Sequence, residues 1–165
     1  MRPSLRSGLA LAVIGGATVL SALLGVRATQ RGKPWYRQLQ KSQLNPPDAV
    51  FGPVWTGLYA LNGVSAARIY RSEFSPARTR TLALWGVQQA LNAAWTPLFF
   101  DQRRPRAALA DIGLLWTSIA AYLLQARKVD RTAAALFLPY LAWVSFAAFL
   151  NEEVVRKNPK WLSAG

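Results

Sequence analysis

Long uncharged stretches set the pattern of apolar and polar positions along the chain. Four of them contain no charged residue and a fifth contains one acid, Asp111; they cover residues 7–26, 49–67, 81–100, 107–126 and 132–151. A helix that crosses the hydrocarbon core of a bilayer needs about 20 mostly apolar residues. The pattern therefore predicts an all-α integral membrane bundle of five transmembrane helices in a single domain, residues 1–165.

The first stretch follows Arg2 and Arg6, an arrangement that also occurs in secretory signal peptides. Its apolar part, however, is longer than the usual central region of a signal peptide, about 7 to 15 residues, and no A-x-A cleavage site follows it. We therefore expect this segment to be retained as the first helix of the bundle.

The connection after the first predicted helix, residues 27–48, is the longest in the chain. It contains Trp35, Pro46 and Pro47, and each proline disfavours helical backbone at the residue before it. Its aromatic content is high for a solvated linker, which predicts either a lid over one end of the bundle or an aromatic anchor at the membrane interface. The other connections are short, so consecutive helices should lie antiparallel and adjacent.

The charge balance is strongly basic, with 20 Lys and Arg against 7 Asp and Glu. A nucleic-acid-binding protein concentrates its basic residues on one face of an element, interleaved with polar residues. Here they lie between the apolar stretches, which is typical of loops at lipid headgroups. We therefore expect membrane lipid, and no nucleic acid, among the partners.

The chain contains neither cysteine nor histidine. Without these residues there is no Ser/His triad, no thiol chemistry, no histidine-ligated metal and no histidine-ligated haem iron. The seven acids also lack the spacing of a known metal-binding motif. The sequence predicts no catalytic residue, no metal and no required cofactor.

Three predicted helices carry a mixed stripe of aromatic and amide residues at helical spacing. The stripes are Trp55, Tyr59, Asn62 and Ala66; Trp85, Gln88, Asn92, Trp95 and Phe99; and Tyr140, Trp143, Ala147 and Asn151. Polar groups facing lipid would lack hydrogen-bond partners, so the stripes should point into the bundle. They predict either hydrogen bonds between helices or a cavity for a flat apolar ligand with polar edges.

Two further features lie within the apolar stretches. Gly86, Ala90 and Ala94 form a ridge of small residues that lets helices approach closely, either inside the bundle or between two protomers of a homodimer. Asp111 follows the cluster at residues 103–106, which contains three arginines. An acid is costly inside a membrane, and we expect an ion pair with these arginines or an interaction with the helix N-terminus.

Several segments, taken together and in this order, resemble one family. They are WYRQLQKSQLNPPDAVFGPVWTGLY, QQALNAAWTPLFF, ALADIGLLW and PYLAWVSFAAFLN, and they fall between Trp35 and Asn151. The chain thus resembles the TspO/MBR family of tryptophan-rich sensory proteins and translocator proteins. The resemblance implies a five-helix membrane bundle, often dimeric, that binds tetrapyrroles such as protoporphyrin IX and, in animal members, cholesterol and synthetic benzodiazepine or isoquinoline ligands.

The resemblance also implies a set of site residues. The ligand-binding candidates are Trp55, Asn92, Trp95, Ala110, Leu114, Tyr140, Trp143, Ala147 and Leu150, and Pro46 and Pro47 match the loop that covers the cavity. The chain departs from the family at Leu44, where many members have tryptophan, and at Glu152 and Glu153, where animal members have aromatic residues. These departures favour a bacterial cell membrane, and a tetrapyrrole over cholesterol.

The functional expectation is a membrane protein that binds protoporphyrin IX, or a haem-like or other flat apolar ligand, in sensing, transport or regulation. One alternative is the light-dependent breakdown of a bound porphyrin, in which Trp55, Trp95 and Trp143 take part. The other is a bundle that binds lipids or sterols in general.

Overall fold

The computed structural model describes residues 3–159, which fold almost entirely into helices. The helices are α1 (Pro3–Gln38), α2 (Asp48–Arg71), α3 (Pro76–Thr96), α4 (Pro105–Ala126) and α5 (Arg131–Lys157), and a π-helical segment, Pro97–Asp101, follows α3. The all-α prediction is confirmed. The predicted third helix, residues 81–100, ends within the π-helical segment, and the other four predicted stretches lie inside observed helices.

Local signals in the sequence explain where two of the helices begin. The Ser75 side chain accepts a hydrogen bond from the backbone N–H of Arg78, and Pro76 occupies the first turn of α3. Asp130 accepts one from the backbone N–H of Ala133 at the start of α5, and its other oxygen lies 2.9 Å from the Arg68 guanidinium. Burial opposes the ionisation of Asp130, but these donors outweigh it and lower the pKa of the carboxyl.

Helix α1 corrects the prediction most, because it continues to Gln38 instead of ending at residue 26. Trp35 therefore belongs to this helix and not to a lid loop. Its side chain is buried, with its ring 5.8 Å from that of Phe99 in an edge-on contact. Charged residues end an apolar stretch but not a helix, since Arg, Lys and Gln are good helix formers. Packing against Phe99 keeps the additional turns in place.

Around the bundle the helices follow the order α1, α2, α5, α4, α3. Helix α1 packs against α2, α3 and the π-helical segment, α5 lies between α2 and α4, and α4 also contacts α3. The buried core includes the contact of α4 with α5, where the rings of Tyr122 and Phe137 are 4.1 Å apart. The prediction that consecutive helices lie side by side holds for α1 and α2, for α3 and α4, and for α4 and α5, whereas α2 and α3 are not neighbours in this order.

Within residues 3–159, three helices are long and apolar enough to cross a membrane: Leu11–Gln38 in α1, Pro105–Ala126 and Arg131–Lys157. Helices α2 and α3 are less apolar because their inner faces carry buried amides such as Asn62, Gln88 and Gln89. Five membrane crossings are therefore supported by composition for three helices and stay a prediction for α2 and α3.

The close approach of α1 to the π-helical segment depends on a glycine. A Cβ added to Gly32 would lie 2.5 Å from the Cβ and 2.5 Å from the carbonyl oxygen of Phe100. The obstacle includes backbone, which cannot move as a flexible side chain can. Any larger residue at position 32 must therefore push the two elements apart.

We expect Gly32→Ala to lower the free energy of unfolding by about 1 to 3 kcal/mol, the usual cost of overpacking an interior site. Denaturant or thermal unfolding of the purified protein in detergent measures it. Gly113→Ala in α4 is the matched control, because no atom lies within 4 Å of a Cβ at that position. There, alanine should be neutral or stabilising. Equal losses for both variants would contradict the close packing at Gly32.

Candidate ligand cavity

A cavity of about 410 Å³ opens at the end of the bundle where α1, α3 and α5 finish and α2 begins. Its wall comes from these four elements and the π-helical segment. Aromatic side chains dominate the wall: Tyr36, Phe51, Trp55, Tyr59, Trp95, Phe99, Phe100 and Trp143. A cavity of this volume with aromatic walls is typical of sites for drug-sized apolar ligands.

The aromatic rings of the wall hold each other at fixed angles. The indoles of Trp55 and Trp143 have centroids 6.4 Å apart and planes at 88°. Phe51 contacts Trp143 at 5.9 Å in a similar edge-on arrangement, and Trp95 stacks on Phe99 at 5.3 Å. Because ring edges contact ring faces, these rings restrain one another's orientation.

Of the nine predicted ligand-binding residues, five line the cavity: Trp55, Trp95, Trp143, Ala147 and Leu150. Asn92 and Tyr140 are buried behind the wall. Ala110 and Leu114 require a correction, since both point outward from α4 and Leu114 is 62% exposed. Helix α4 turns its apolar inner face, with Ile112 and Leu115, toward α3 and α5 and contributes nothing to the cavity wall.

Asn92 lies behind the wall because its amide joins three helices. The Tyr59 hydroxyl of α2 donates to Asn92 Oδ1 over 2.8 Å, and Asn92 Nδ2 donates to the Tyr140 hydroxyl of α5 over 2.6 Å. A second amide makes a similar link, in which Trp95 Nε1 donates to Asn151 Oδ1 over 3.2 Å and Asn151 Nδ2 donates to the carbonyl oxygen of Pro105 over 2.9 Å. Both amides are thus satisfied within the protein.

The stripes predicted on α2, α3 and α5 do face into the bundle, where their residues bond across helices or line the cavity. The amides of Asn92 and Asn151 bond across helices, as does Asn62, which accepts from Trp85 Nε1. The indoles of Trp55 and Trp143 line the cavity, and Trp95 and Asn151 do both. The stripes thus form hydrogen bonds between helices and also line a cavity, and the binding of a flat apolar ligand there stays a prediction.

One wall residue keeps an unused donor. Trp143 Nε1 is buried and has no hydrogen-bond partner among residues 3–159. A buried donor without a partner costs about 1 to 3 kcal/mol, so Trp143 Nε1 is a local cost of the packing around this indole.

An ion pair lies at the mouth of the cavity. Lys33 Nζ of α1 is 2.8 Å from Asp48 Oδ2 at the first residue of α2, and both side chains line the cavity while remaining partly exposed. The hydrogen bond from Lys33 holds the pKa of Asp48 below its ordinary value. Asp48 is therefore ionised at neutral pH, and the mouth carries one positive and one negative group.

The connection at residues 39–47 crosses the same end of the bundle, since it runs from the turn after Tyr36 to Asp48, both of which line the cavity. Asn158, just beyond α5, holds it: Gln40 N–H donates to Asn158 Oδ1 over 2.9 Å, and Asn158 Nδ2 donates to the Gln40 carbonyl over 2.8 Å. Tyr36 also donates to Asn45 Oδ1 over 2.7 Å. Sequence reasoning missed Asn158, because no local pattern marks a contact across 118 positions.

Pro46 and Pro47 lie in this connection, directly before α2, and the cavity wall does not include them. Their role as a lid stays a prediction. The extended backbone of Pro47, with φ −55° and ψ 144°, leads the chain into the first turn of α2.

The small-residue ridge lies on the surface of α3. Gly86, Ala90 and Ala94 are exposed on its outer face, so the ridge does not pack inside the bundle, and its use in a homodimer stays a prediction.

The expected ion pair of Asp111 is wrong, because no ion pair among residues 3–159 includes it and its buried Oδ2 lacks a hydrogen-bond partner. The arginines at 103, 104 and 106 are exposed.

Comparison with known proteins identifies the family. The model of the TspO/MBR family matches residues 9–156, nearly the whole chain. The chain belongs to the TspO/MBR family. Together with the three apolar helices, this membership makes it an integral membrane protein.

Relatives within the TspO/MBR family come from bacteria and from animals. The chain is 35% identical to the tryptophan-rich protein TspO of Chlorobaculum tepidum, over 92% of this chain and 97% of that protein. It is 37% identical to the tryptophan-rich sensory protein of Cereibacter sphaeroides, over 90% and 88%. It is also 37% identical to the human translocator protein, over 88% of each chain.

We expect Asn158→Ala to loosen the connection over the cavity end, because Gln40 would lose partners for both its N–H and its carbonyl. Hydrogen exchange at residues 39–47 should accelerate about tenfold to a hundredfold, the effect of about 1.4 to 2.8 kcal/mol in local opening. Leu44→Ala is the control, since Leu44 is 66% exposed. Unchanged exchange in Asn158→Ala would show that other contacts hold the connection.

Proposed function

We propose that the protein is a membrane tetrapyrrole-binding protein whose cavity holds protoporphyrin IX or a haem-like ligand in sensing, transport or regulation. The observation that carries the proposal is the cavity wall, where the indoles of Trp55, Trp95 and Trp143 face one space. Indoles stack on flat conjugated rings and add about 0.5 to 1.5 kcal/mol per pair beyond the buried area. The wall suits a macrocycle, and binding it needs no catalytic group.

The polar groups of the cavity suit a ring with acidic edges. Lys33 lies at the mouth, where it can exchange Asp48 for a ligand carboxylate without moving into the apolar interior. Protoporphyrin combines a flat apolar ring with carboxylates on one edge, which matches a deep aromatic wall with a charged mouth.

The proposal includes five membrane crossings. The polar residues of α2 and α3, such as Asn62 and Gln88, are buried, whereas Val64 and Val87 on their outer faces are about half exposed. Helices of this kind can face lipid because their polar side chains point into the bundle, where Asn62 Oδ1 accepts from Trp85 Nε1 and Gln88 Nε2 donates to Gln89 Oε1. A homodimer would form through the exposed ridge of Gly86 and its neighbours, where a Cβ would meet nothing within 4 Å.

We assign the protein to a bacterial cell membrane on the residues that end α5. Glu153 is buried and forms ion pairs with Arg156 and Lys157, and Glu152 also pairs with Arg156. Paired charges at Glu152 and Glu153 make this helix end polar, so the proposal favours a tetrapyrrole over cholesterol.

Titration of the purified protein with protoporphyrin IX, followed by tryptophan quenching, tests the proposal. We expect saturable binding near one ligand per protomer, and Trp143→Ala should weaken it about tenfold or more through lost stacking and buried area. Trp116→Ala is the matched control, because Trp116 lies on the outer face and bonds Ser145. Equal losses in both variants would remove Trp143 from the binding wall.

One outcome of the titration favours another function, and a second experiment tests the light-dependent alternative. Quenching that does not saturate would place general lipid or sterol binding ahead. Illumination of the complex followed by product analysis addresses the light-dependent alternative, since Trp55 and Trp143 would both face an excited ring. Recovery of unchanged porphyrin supports binding alone.

We expect Lys33→Gln to weaken protoporphyrin IX binding about fivefold, near 1 kcal/mol, which is modest because Lys33 is partly exposed and water screens its charge. The dimethyl ester of the same porphyrin should bind both proteins equally, since it has no carboxylate. Arg37→Gln removes one charge nearby without altering the cavity wall and is the control. If Arg37→Gln weakens protoporphyrin IX binding as much as Lys33→Gln does, general electrostatic attraction explains the effect, and a contact at the mouth does not.

A further inference from the structure

A groove between α4 and α5 lies at the opposite end of the bundle from the cavity. It measures about 1080 Å³ and runs between the last two turns of α4 and the first three turns of α5. Its walls include Leu124, Leu138 and Leu141, of which Leu124 is 59% and Leu138 55% exposed. Its rim carries Arg127 and two further basic residues, Lys128 and Arg131.

The three rim cations lack a paired acid within the described part of the chain. No ion pair among residues 3–159 includes Arg127, Lys128 or Arg131. The neighbouring acid, Asp130, uses one oxygen to accept from the Ala133 N–H and pairs the other with Arg68. The rim therefore keeps its three positive charges, and all three side chains are exposed.

The position of the groove decides which anion fits. Helices α4 and α5 are two of the three that are apolar enough to cross a membrane, and the rim cations lie where α4 ends and α5 begins. Basic side chains at helix ends reach the headgroup layer, and basic pockets between membrane helices attract anionic lipid headgroups. The leucine walls continue from this rim toward the middle of the membrane.

We infer that this groove is a binding site for an anionic phospholipid. The phosphate lies among Arg127, Lys128 and Arg131, and one acyl chain lies along Leu138 and the leucines of the opposite wall. The leucine wall favours a lipid over a soluble phosphate, which would gain nothing from it. The site is separate from the aromatic cavity and does not depend on the ligand proposed there.

Lipid retention tests the inference. The purified protein is equilibrated with phosphatidylglycerol and phosphatidylcholine of identical acyl chains, and the bound lipid is counted by native mass spectrometry. We expect wild-type protein to retain phosphatidylglycerol preferentially. Arg127→Gln with Arg131→Gln should reduce that preference about tenfold or more, because each basic group near the membrane surface contributes about a factor of five.

Arg71→Gln with Arg80→Gln is the matched control. These arginines are exposed at the same end of the bundle but do not line the groove, so the control removes the same charge from the same headgroup layer. We expect it to keep the wild-type preference. Equal losses in both double variants would overturn the site in favour of general attraction to a basic surface.

Measurements on the wild-type protein keep the inference testable if a variant fails to fold. Equal retention of phosphatidylglycerol and phosphatidylcholine by the wild type overturns it. Displacement of the lipid by glycerol phosphate at concentrations near that of the lipid also overturns it, because the leucine wall would then contribute nothing.

Discussion

The amide of Asn92 is the contact on which the arrangement of the bundle depends. It accepts from Tyr59 of α2 and donates to Tyr140 of α5, so a single residue of α3 fixes the spacing of three helices. Water cannot satisfy these groups in the interior of a membrane bundle, so each helix must hold its partner within hydrogen-bond distance. The aromatic wall of the cavity is built on these fixed backbones.

The cavity lies at one end of the bundle, where Gly32 lets α1 approach the π-helical segment closely. Phe99 and Phe100 of that segment and Tyr36 of α1 close one side of the space, with Tyr36 and Phe100 rings 5.4 Å apart. The amides of Asn92 and Asn151 are already bonded to the protein. In the proposed function, selectivity then depends on ring stacking and the charged mouth.

The two ends of the molecule differ in the way they carry charge. At the cavity end, Lys33 pairs with Asp48, so a ligand must compete for the lysine. At the other end, Asp130 pairs with Arg68, and no ion pair among residues 3–159 includes Arg127, Lys128 or Arg131. In the two proposals, the same excess of basic residues attracts a ligand carboxylate at one end and an anionic lipid at the other.

The sequence by itself determined the helices and the faces they bury, because uncharged length and helical spacing are local properties. It also indicated the TspO/MBR family and placed Trp55, Trp95 and Trp143 on the inner faces. Only the tertiary structure showed that α1 continues to Gln38 and that α4 turns Leu114 outward. Periodicity identifies the inward face of a helix, but not its depth or its partner. Asn92 and Trp95 therefore look alike in the sequence, yet Asn92 is buried behind the wall while Trp95 both lines the cavity and donates to Asn151, as the distances between helices decide.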